Sequence, residues 1–282
     1  TGRRGAEWTV TGRADRTSIF DMVALIPARA GSQRIPGKNR KLFCGHPLIA
    51  YTLATARACG LFRDIWVCSD DPAIAPIAQA YGAEWCWRDP VPADQADIVW
   101  VTDVLTMLTS TGRRPMAFAI LRPTSPFRTV AMLTRASRQF YAYLSADSLR
   151  AVEPVTQHPG KMWTWEGPSY PIKPLLTRTR PDGVPWHSSP TQSLPTVFVQ
   201  NASLEMAWTR NVEAHGSISG ASVVPFFCEG YEGLDLNTPR DWRDAEALVA
   251  EGAAVLPTLP VAPMGAAAPT VDGADPDRTV AG

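Results

Sequence analysis

Ile26-Pro27-Ala28-Arg29-Ala30-Gly31-Ser32-Gln33-Arg34-Ile35-Pro36-Gly37-Lys38-Asn39 decides how this chain is read. The residues just before and into it, Met22-Val23-Ala24-Leu25-Ile26, form a short apolar run closed by Pro27. Such a run reads as a strand buried on both faces of a parallel sheet. The loop that follows therefore leaves the sheet at a strand's carboxyl end, the edge at which open α/β sheets hold ligands. Gly31 and Gly37 let backbone N–H groups approach an anion, while Arg29, Arg34 and Lys38 supply charge to neutralise it. A triphosphate suits this arrangement. The loop has neither the Gly-Lys-Ser/Thr ending of a P-loop nor the G-x-G-x-x-G dinucleotide fingerprint, and a solvated basic turn is the bland alternative.

Outward from this loop, strands and helices alternate. The pattern predicts a strand at 22–27, a helix at about 47–59, a strand at 64–69, a helix at 72–81 and a strand at 84–87. A helix at 94–109, a strand at 116–122 and a helix at 129–144 follow. That rhythm predicts an α/β fold, an open and mainly parallel twisted sheet with helices on both faces. Asp71-Pro72 marks a helix start, with Asp71 as N-cap. Met132, Ala136, Phe140 and Leu144 recur at i, i+4 spacing and read as a core-facing stripe. From Asp147 to about Ser193 the alternation gives way to prolines and aromatics, including Trp163, Trp165 and Trp186, which reads as an inserted arm. The chain then returns through strands at 196–199 and 223–227 and a helix from Pro239 to Val249.

Composition sets limits on the function. Lys plus Arg and Asp plus Glu both total 27, so no global field draws the protein to nucleic acid or an anionic membrane, and any anion site is local. Cys44, Cys59, Cys68, Cys86 and Cys228 are widely spaced, odd in number and without a CxxC pair, which fits reduced thiols in a cytoplasm. No apolar run reaches the roughly 18 residues a membrane span needs, and no secretory leader pattern opens the chain. Residues 1–21 are read as an extension, 22–255 as the catalytic domain with its arm at about 147–193, and 256–282 as a Pro/Ala/Gly-rich flexible tail.

The run from Ile26 to Asn39 resembles the signature that opens the CMP-sialic acid synthetase (acylneuraminate cytidylyltransferase) family. The likeness continues at Pro47-Leu48-Ile49-Ala50-Tyr51-Thr52, at Cys68-Ser69-Asp70-Asp71 and at Leu121-Arg122-Pro123-Thr124-Ser125-Pro126-Phe127-Arg128. It extends to Gln200-Asn201-Ala202-Ser203 and Leu234-Asp235-Leu236-Asn237-Thr238-Pro239, covering roughly residues 22 to 250. The resemblance implies a nucleotide-diphospho-sugar transferase-like Rossmann fold with a dimerisation arm, and hence a homodimer. It also implies transfer of CMP from CTP to the anomeric hydroxyl of a sialic-acid-like 2-keto acid sugar, with release of pyrophosphate.

By the same resemblance Arg29 and Lys38 act on the CTP phosphates as catalytic residues, with Ala28, Gly31, Ser32 and Asn39 lining the nucleotide and Arg88 near cytosine and ribose. For Arg34, phosphate contact and surface charge both stand. Asp235 is the expected magnesium ligand, since that ion needs only one or two protein carboxylates beside phosphate and water. The family's Asp-x-Asp reads Asp235-Leu236-Asn237 here, so the second metal position and catalytic acid has become an amide. The alternative is that these two residues only start the helix at Pro239. Arg122, Gln192 and Asn201 are the expected acceptor-binding residues, and His158 is a weaker candidate. Arg122 stands where the family has glutamine, and its added charge would suit a carboxylate acceptor. Thr191 replaces a family arginine, Ala202 a glycine, and Asp94-Gln95-Ala96-Asp97 a segment usually ending in a small hydroxylated pair. These departures leave open an octulosonate or another nonulosonate as acceptor, or a nucleotide-binding module without catalysis.

Overall fold

The computed structural model describes residues 21–260 apart from 91, 93 and 94. The extension at 1–20, the tail from 261 onward and Asp94 lie outside the described residues.

β1 (Met22–Pro27) is buried along its whole length except at Pro27. Its alternate residues feed two different cores: Met22, Ala24 and Ile26 pack to one side, Val23 and Leu25 to the other. This is why the run has no polar alternation. A short hairpin of β2 (Leu42–Phe43) and β3 (His46–Pro47) leads into α1 (Leu48–Ala58). β4 (Ile65–Ser69) follows, then a 3₁₀ turn capped by the Asp71 carboxylate and started by Pro72, α2 (Ala75–Ala80) and β5 (Glu84–Trp87). α3 (Asp97–Ser110), β6 (Ala117–Ile120), α4 (Val130–Ala142) and β7 (Ser148–Pro154) complete the first pass through the sheet. After the arm, which contains the small β8 (Trp163–Thr164) and β9 (Lys173–Pro174), come β10 (Phe198–Trp208), α5 (Thr209–His215), β11 (Val223–Phe227) and α6 (Pro239–Ala250).

Seven strands form the main sheet in the order β11-β7-β10-β6-β1-β4-β5. All neighbours are parallel except β10, which runs antiparallel to β6 and β7. α1, α2 and α4 cover one face through Ile49, Leu53, Ala78, Met132, Leu133 and Phe140. α3 and α5 cover the other through Trp100, Val104, Leu108 and Val212. A third cluster joins Ile35 of the basic loop to Phe43, Leu48, Phe127, Leu236 and Trp242, fixing the loop's middle to α6.

Four expectations change. Residues 148–154, assigned to the arm, belong to the sheet; Ser148 and Arg150 conceal a strand because their polar groups are satisfied internally, Ser148 by the Ser219 carbonyl and Arg150 by Glu205. The strand expected at 196–199 is only the start of the eleven-residue β10, whose Asn201, Ser203 and Glu205 read as loop. Leu144 lies beyond the end of α4 and is 63% exposed, so the stripe ends at Phe140. The expected helix at 94–109 begins at Asp97.

Candidate active site

Arg29 follows β1, Asp70 follows β4, Arg88 follows β5 and Arg122 follows β6, so the sheet's carboxyl edge gathers these side chains at one mouth. A cavity of about 500 Å³ opens there, lined by Arg29, Gly31, Ser32, Arg34, Lys38 and Asn39 of the loop, with Arg88, Arg122, Asp235 and Asn237. Gln95, Asp97, Thr124 and Ala202 complete the wall.

The loop is held from three sides. The Ser69 hydroxyl donates to the Ala28 carbonyl at 2.6 Å, and the Ala30 N–H donates to Asp70 Oδ1 at 2.7 Å. The buried Asn39 amide donates to the Arg29 carbonyl at 3.0 Å, so Asn39 shapes the loop as well as lining the cavity. Ala28 is fully buried and contributes backbone. Gly37 has φ +61°, the left-handed conformation that turns the chain into Lys38. Gly31 has no positive φ, and a Cβ placed there would meet nothing within 4 Å, so the protein's own packing does not require glycine at that position.

Lys38 Nζ donates to the Leu236 carbonyl at 2.9 Å. Burial lowers its pKa, Asp235 opposes that, and Arg34 and Arg29 add to the lowering. Arg29 Nη1 reaches the Pro92 carbonyl at 3.4 Å, a long contact that leaves its charge available. Arg88 is buried with its guanidinium 5.2 Å from the Trp100 ring centroid and its Nε without a partner among the described residues. The loop thus presents several cations to one space, and no carboxylate of the loop itself offsets them.

On the opposite wall Asp235 Oδ2 accepts the Asn237 amide N–H at 2.6 Å. Its Oδ1 is buried without a partner among the described residues. The Asn237 nitrogen being committed, its amide oxygen is the atom left to offer. A buried unpartnered carboxylate oxygen beside an amide oxygen is a donor set that a hard divalent cation accepts when phosphate and water complete its shell. Among the described residues no group of three or more His, Cys, Asp or Glu side chains could hold a metal by itself. Thr238 and Asp241 form a capping box at the start of α6, which fixes this segment without using Asp235.

The acceptor side departs most from expectation. Arg122 Nη2 donates to Asp97 Oδ2 and to Glu205 Oε1, both at 2.6 Å, so its charge is compensated rather than surplus. Glu205 also pairs with the buried Arg150. Burial pushes the Asp97 carboxyl up, but Arg122 and the Trp100 indole outweigh it and the group falls below the usual carboxylate range. Asn201 does not line the cavity: its Oδ1 accepts from the Ser203 N–H and hydroxyl, and its Nδ2 donates to Glu153 Oε2 at 3.2 Å. It sits at the register shift of β10, not at a strand end, and shapes that irregularity. Gln192 is exposed in the arm, away from the cavity lining. His158 accepts the Gly160 N–H at Nδ1, which leaves Nε2 to donate to the Pro195 carbonyl, so it closes the arm's base.

Sequence reading assigned no role to Asp97, Glu205, Arg150 or Arg128. Arg128 is fully buried; burial lowers its pKa to about 9, and it donates to the carbonyls of Ser203 and Arg122 and to the Thr52 hydroxyl. It braces the turn that presents Arg122. The signal for the carboxylates was Arg122 itself, since a half-buried guanidinium in a place that suits glutamine needs counter-charges.

The profile of the Cytidylyltransferase family matches residues 23–105, which carry β1, the basic loop and the start of α3. CMP-N,N'-diacetyllegionaminic acid synthase of Legionella pneumophila is 28% identical over 232 residues, covering 81% of this chain and 96% of that protein. N-acylneuraminate cytidylyltransferase of Escherichia coli is 31% identical over 162 residues, 57% of this chain, and the match spans only 35% of that longer protein. Among solved structures, CMP:2-keto-3-deoxy-manno-octonic acid synthetase complexed with CTP superposes with a TM-score of 0.55 at 13% identity, covering 82% of this chain and 99% of that one. 4-Diphosphocytidyl-2C-methyl-D-erythritol synthase from Anaerococcus prevotii gives the same score and identity. The structural likenesses establish the fold, and the family profile runs through the loop that builds the cavity. The comparisons support a CMP-sialic acid synthetase-like cytidylyltransferase family as the one this chain is similar to.

Proposed function

We propose that the cavity binds CTP and a sialic-acid-like 2-keto acid sugar and transfers CMP to the sugar. The observation that carries this reading is the facing of Lys38 and Arg29 with Asp235 across one space at the sheet's carboxyl edge. The triphosphate lies along the loop from Arg29 to Asn39, with Arg88 toward the nucleoside and the β6–β10 side left for the sugar. The anomeric oxygen forms its bond to the α-phosphorus as the bond from that phosphorus to the pyrophosphate oxygen breaks, and the hydroxyl proton passes to solvent. Lys38 and Arg29 neutralise the charge that develops on pyrophosphate, where preorganised cations contribute most. Asp235 and Asn237 would hold magnesium, which when bound would supply positive charge to the phosphates.

The arm fits a homodimer. Trp163, Trp165, Tyr170, Ile172 and Leu175 are 44–63% exposed on a segment otherwise secured by hydrogen bonds, an apolar patch that a second copy would cover. Gln192, outside its own chain's cavity, would then sit near the neighbouring one. None of the helices among the described residues is long and apolar enough to cross a membrane, and all five cysteines are free, which supports a cytoplasmic enzyme.

The test is pyrophosphate release with each of the four ribonucleoside triphosphates against N-acylated nonulosonates and an octulosonate. Release with CTP and a nine-carbon acid is the expected result. Release with an octulosonate alone would move the acceptor assignment, and tight CTP binding with no release from any acceptor would make the chain a binding module.

A further inference from the structure

Resting on that reading, we propose that Asp97 and Glu205 turn Arg122 into a fixed hydrogen-bond donor that reads an uncharged oxygen of the acceptor sugar, with Asp97 as the positioning residue for specificity. Both Asp97 oxygens are occupied inside the protein: Oδ1 accepts the Trp100 indole N–H at 2.7 Å and Oδ2 accepts Arg122. Both Glu205 oxygens are occupied as well, by Arg122 and Arg150. Two carboxylates thus face two guanidiniums, and the network is neutral.

What remains for a ligand are the Arg122 N–H groups other than those on Nη2, which have no protein partner among the described residues and belong to a side chain on the cavity wall. A planar guanidinium clamped through one nitrogen keeps its remaining N–H groups in a fixed orientation. The Asp97–Arg122–Glu205 cluster therefore offers donors, its carboxylate oxygens all being occupied. A third carboxylate at Arg122 would add to two already there, so an amide carbonyl or hydroxyl oxygen is the better match. Position assigns this contact to the sugar: Arg122 follows β6 and lies beside β10, whereas Arg88 follows β5 at the other end of the mouth.

The two readings of Arg122 give opposite signs for Asp97→Asn. A carboxylate-binding Arg122 would be freed by losing Asp97, and the acceptor KM would fall. A positioned donor would be loosened, and the KM for an N-acylated nonulosonate should rise about tenfold, the scale of one charged hydrogen bond. The CTP KM and the kcat at saturating acceptor should stay within about threefold. Arg122→Lys should raise the same KM, and the double variant should be no worse than Arg122→Lys alone, a coupling a purely structural Asp97 would not give. The analogue with hydroxyl in place of the acylamino group separates the amide carbonyl from the hydroxyl as the oxygen read. CTP binding by calorimetry and thermal melting confirm folded variants. A lower or unchanged acceptor KM in Asp97→Asn, or additive effects, would overturn the proposal, whereas a wild-type enzyme that releases no pyrophosphate would overturn the reading beneath it.

Discussion

Lys38 Nζ donates to the Leu236 carbonyl across 198 positions of sequence, tying the basic loop to the segment that carries Asp235. The bond places a partly buried cation of the loop against the wall on which Asp235 Oδ1 is buried without a partner among the described residues.

Replacing Lys38 by alanine should reduce pyrophosphate release at least about a hundredfold, the usual scale for removing one preorganised charge from a transition state. The lost hydrogen bond costs about 1 kcal/mol, a shift of roughly 2–4 °C in Tm. Turnover assays paired with thermal melting check both halves; undiminished turnover would count against Lys38 as a phosphate ligand.

Gly31 presents a contrast with Gly37. Because Gly31 has open space where a Cβ would go, Gly31→Ala should leave Tm unchanged, yet raise the CTP KM if backbone there closes on phosphate. Gly37→Ala should lower Tm by forcing an L residue to φ +61°. Differential scanning fluorimetry with and without CTP distinguishes the two, and an unaltered CTP response in Gly31→Ala would remove that glycine from the binding surface.

Asn237 gives Asp235 an N–H where the family pattern has a second acid. Asn237→Asp should therefore lower the magnesium concentration for half-maximal rate several-fold, since ligand charge sets affinity for hard cations. Magnesium titration of the rate measures this; an unchanged midpoint would place the ion elsewhere.

Asp241 is held below the usual carboxylate range: burial pushes it up, but the Asn237 and Thr238 N–H groups outweigh that. A carboxyl depressed in the folded state contributes stability above its unfolded pKa and loses it as pH falls through the folded value. Asp241→Asn should cost about 0.5–1 kcal/mol near neutral pH, a capping-scale effect. The gap from wild type should close as pH falls through the depressed folded value. Denaturant melts across pH test the sign, and a gap that widened on acidification would refute it.

The readable parts were those in which local chemistry speaks alone. β1 announced itself by an unbroken apolar run, and Asp71-Pro72 and Pro239 announced helix starts, although the cap of the second is Thr238 and not Asp235 or Asn237. β7 and the long β10 were missed because Arg150 and Glu205 are charged residues satisfied only by partners far along the chain. The basic loop was legible because Arg29, Arg34 and Lys38 lie close together in one short stretch of sequence. The Asp97–Arg122–Glu205 wall was not, since its members lie 25 and 83 positions apart and meet only when α3, β6 and β10 assemble.

The arm offers the last test. Trp165 and Ile172 expose 63% and 55% of their surface, and flank the β8–β9 hairpin, whose strands hold only Trp163–Thr164 against Lys173–Pro174. A two-stranded hairpin of that length has little stability alone, so a covering surface would secure it as well as bury its aromatics. Trp165→Glu should shift the protein from dimer to monomer in analytical ultracentrifugation, because a charge at the centre of an apolar contact costs several kcal/mol when left unpaired. If Gln192 serves the neighbouring cavity, the monomer should also lose acceptor affinity while binding CTP normally. A monomeric wild-type protein, or a Trp165→Glu dimer, would leave the arm without this role.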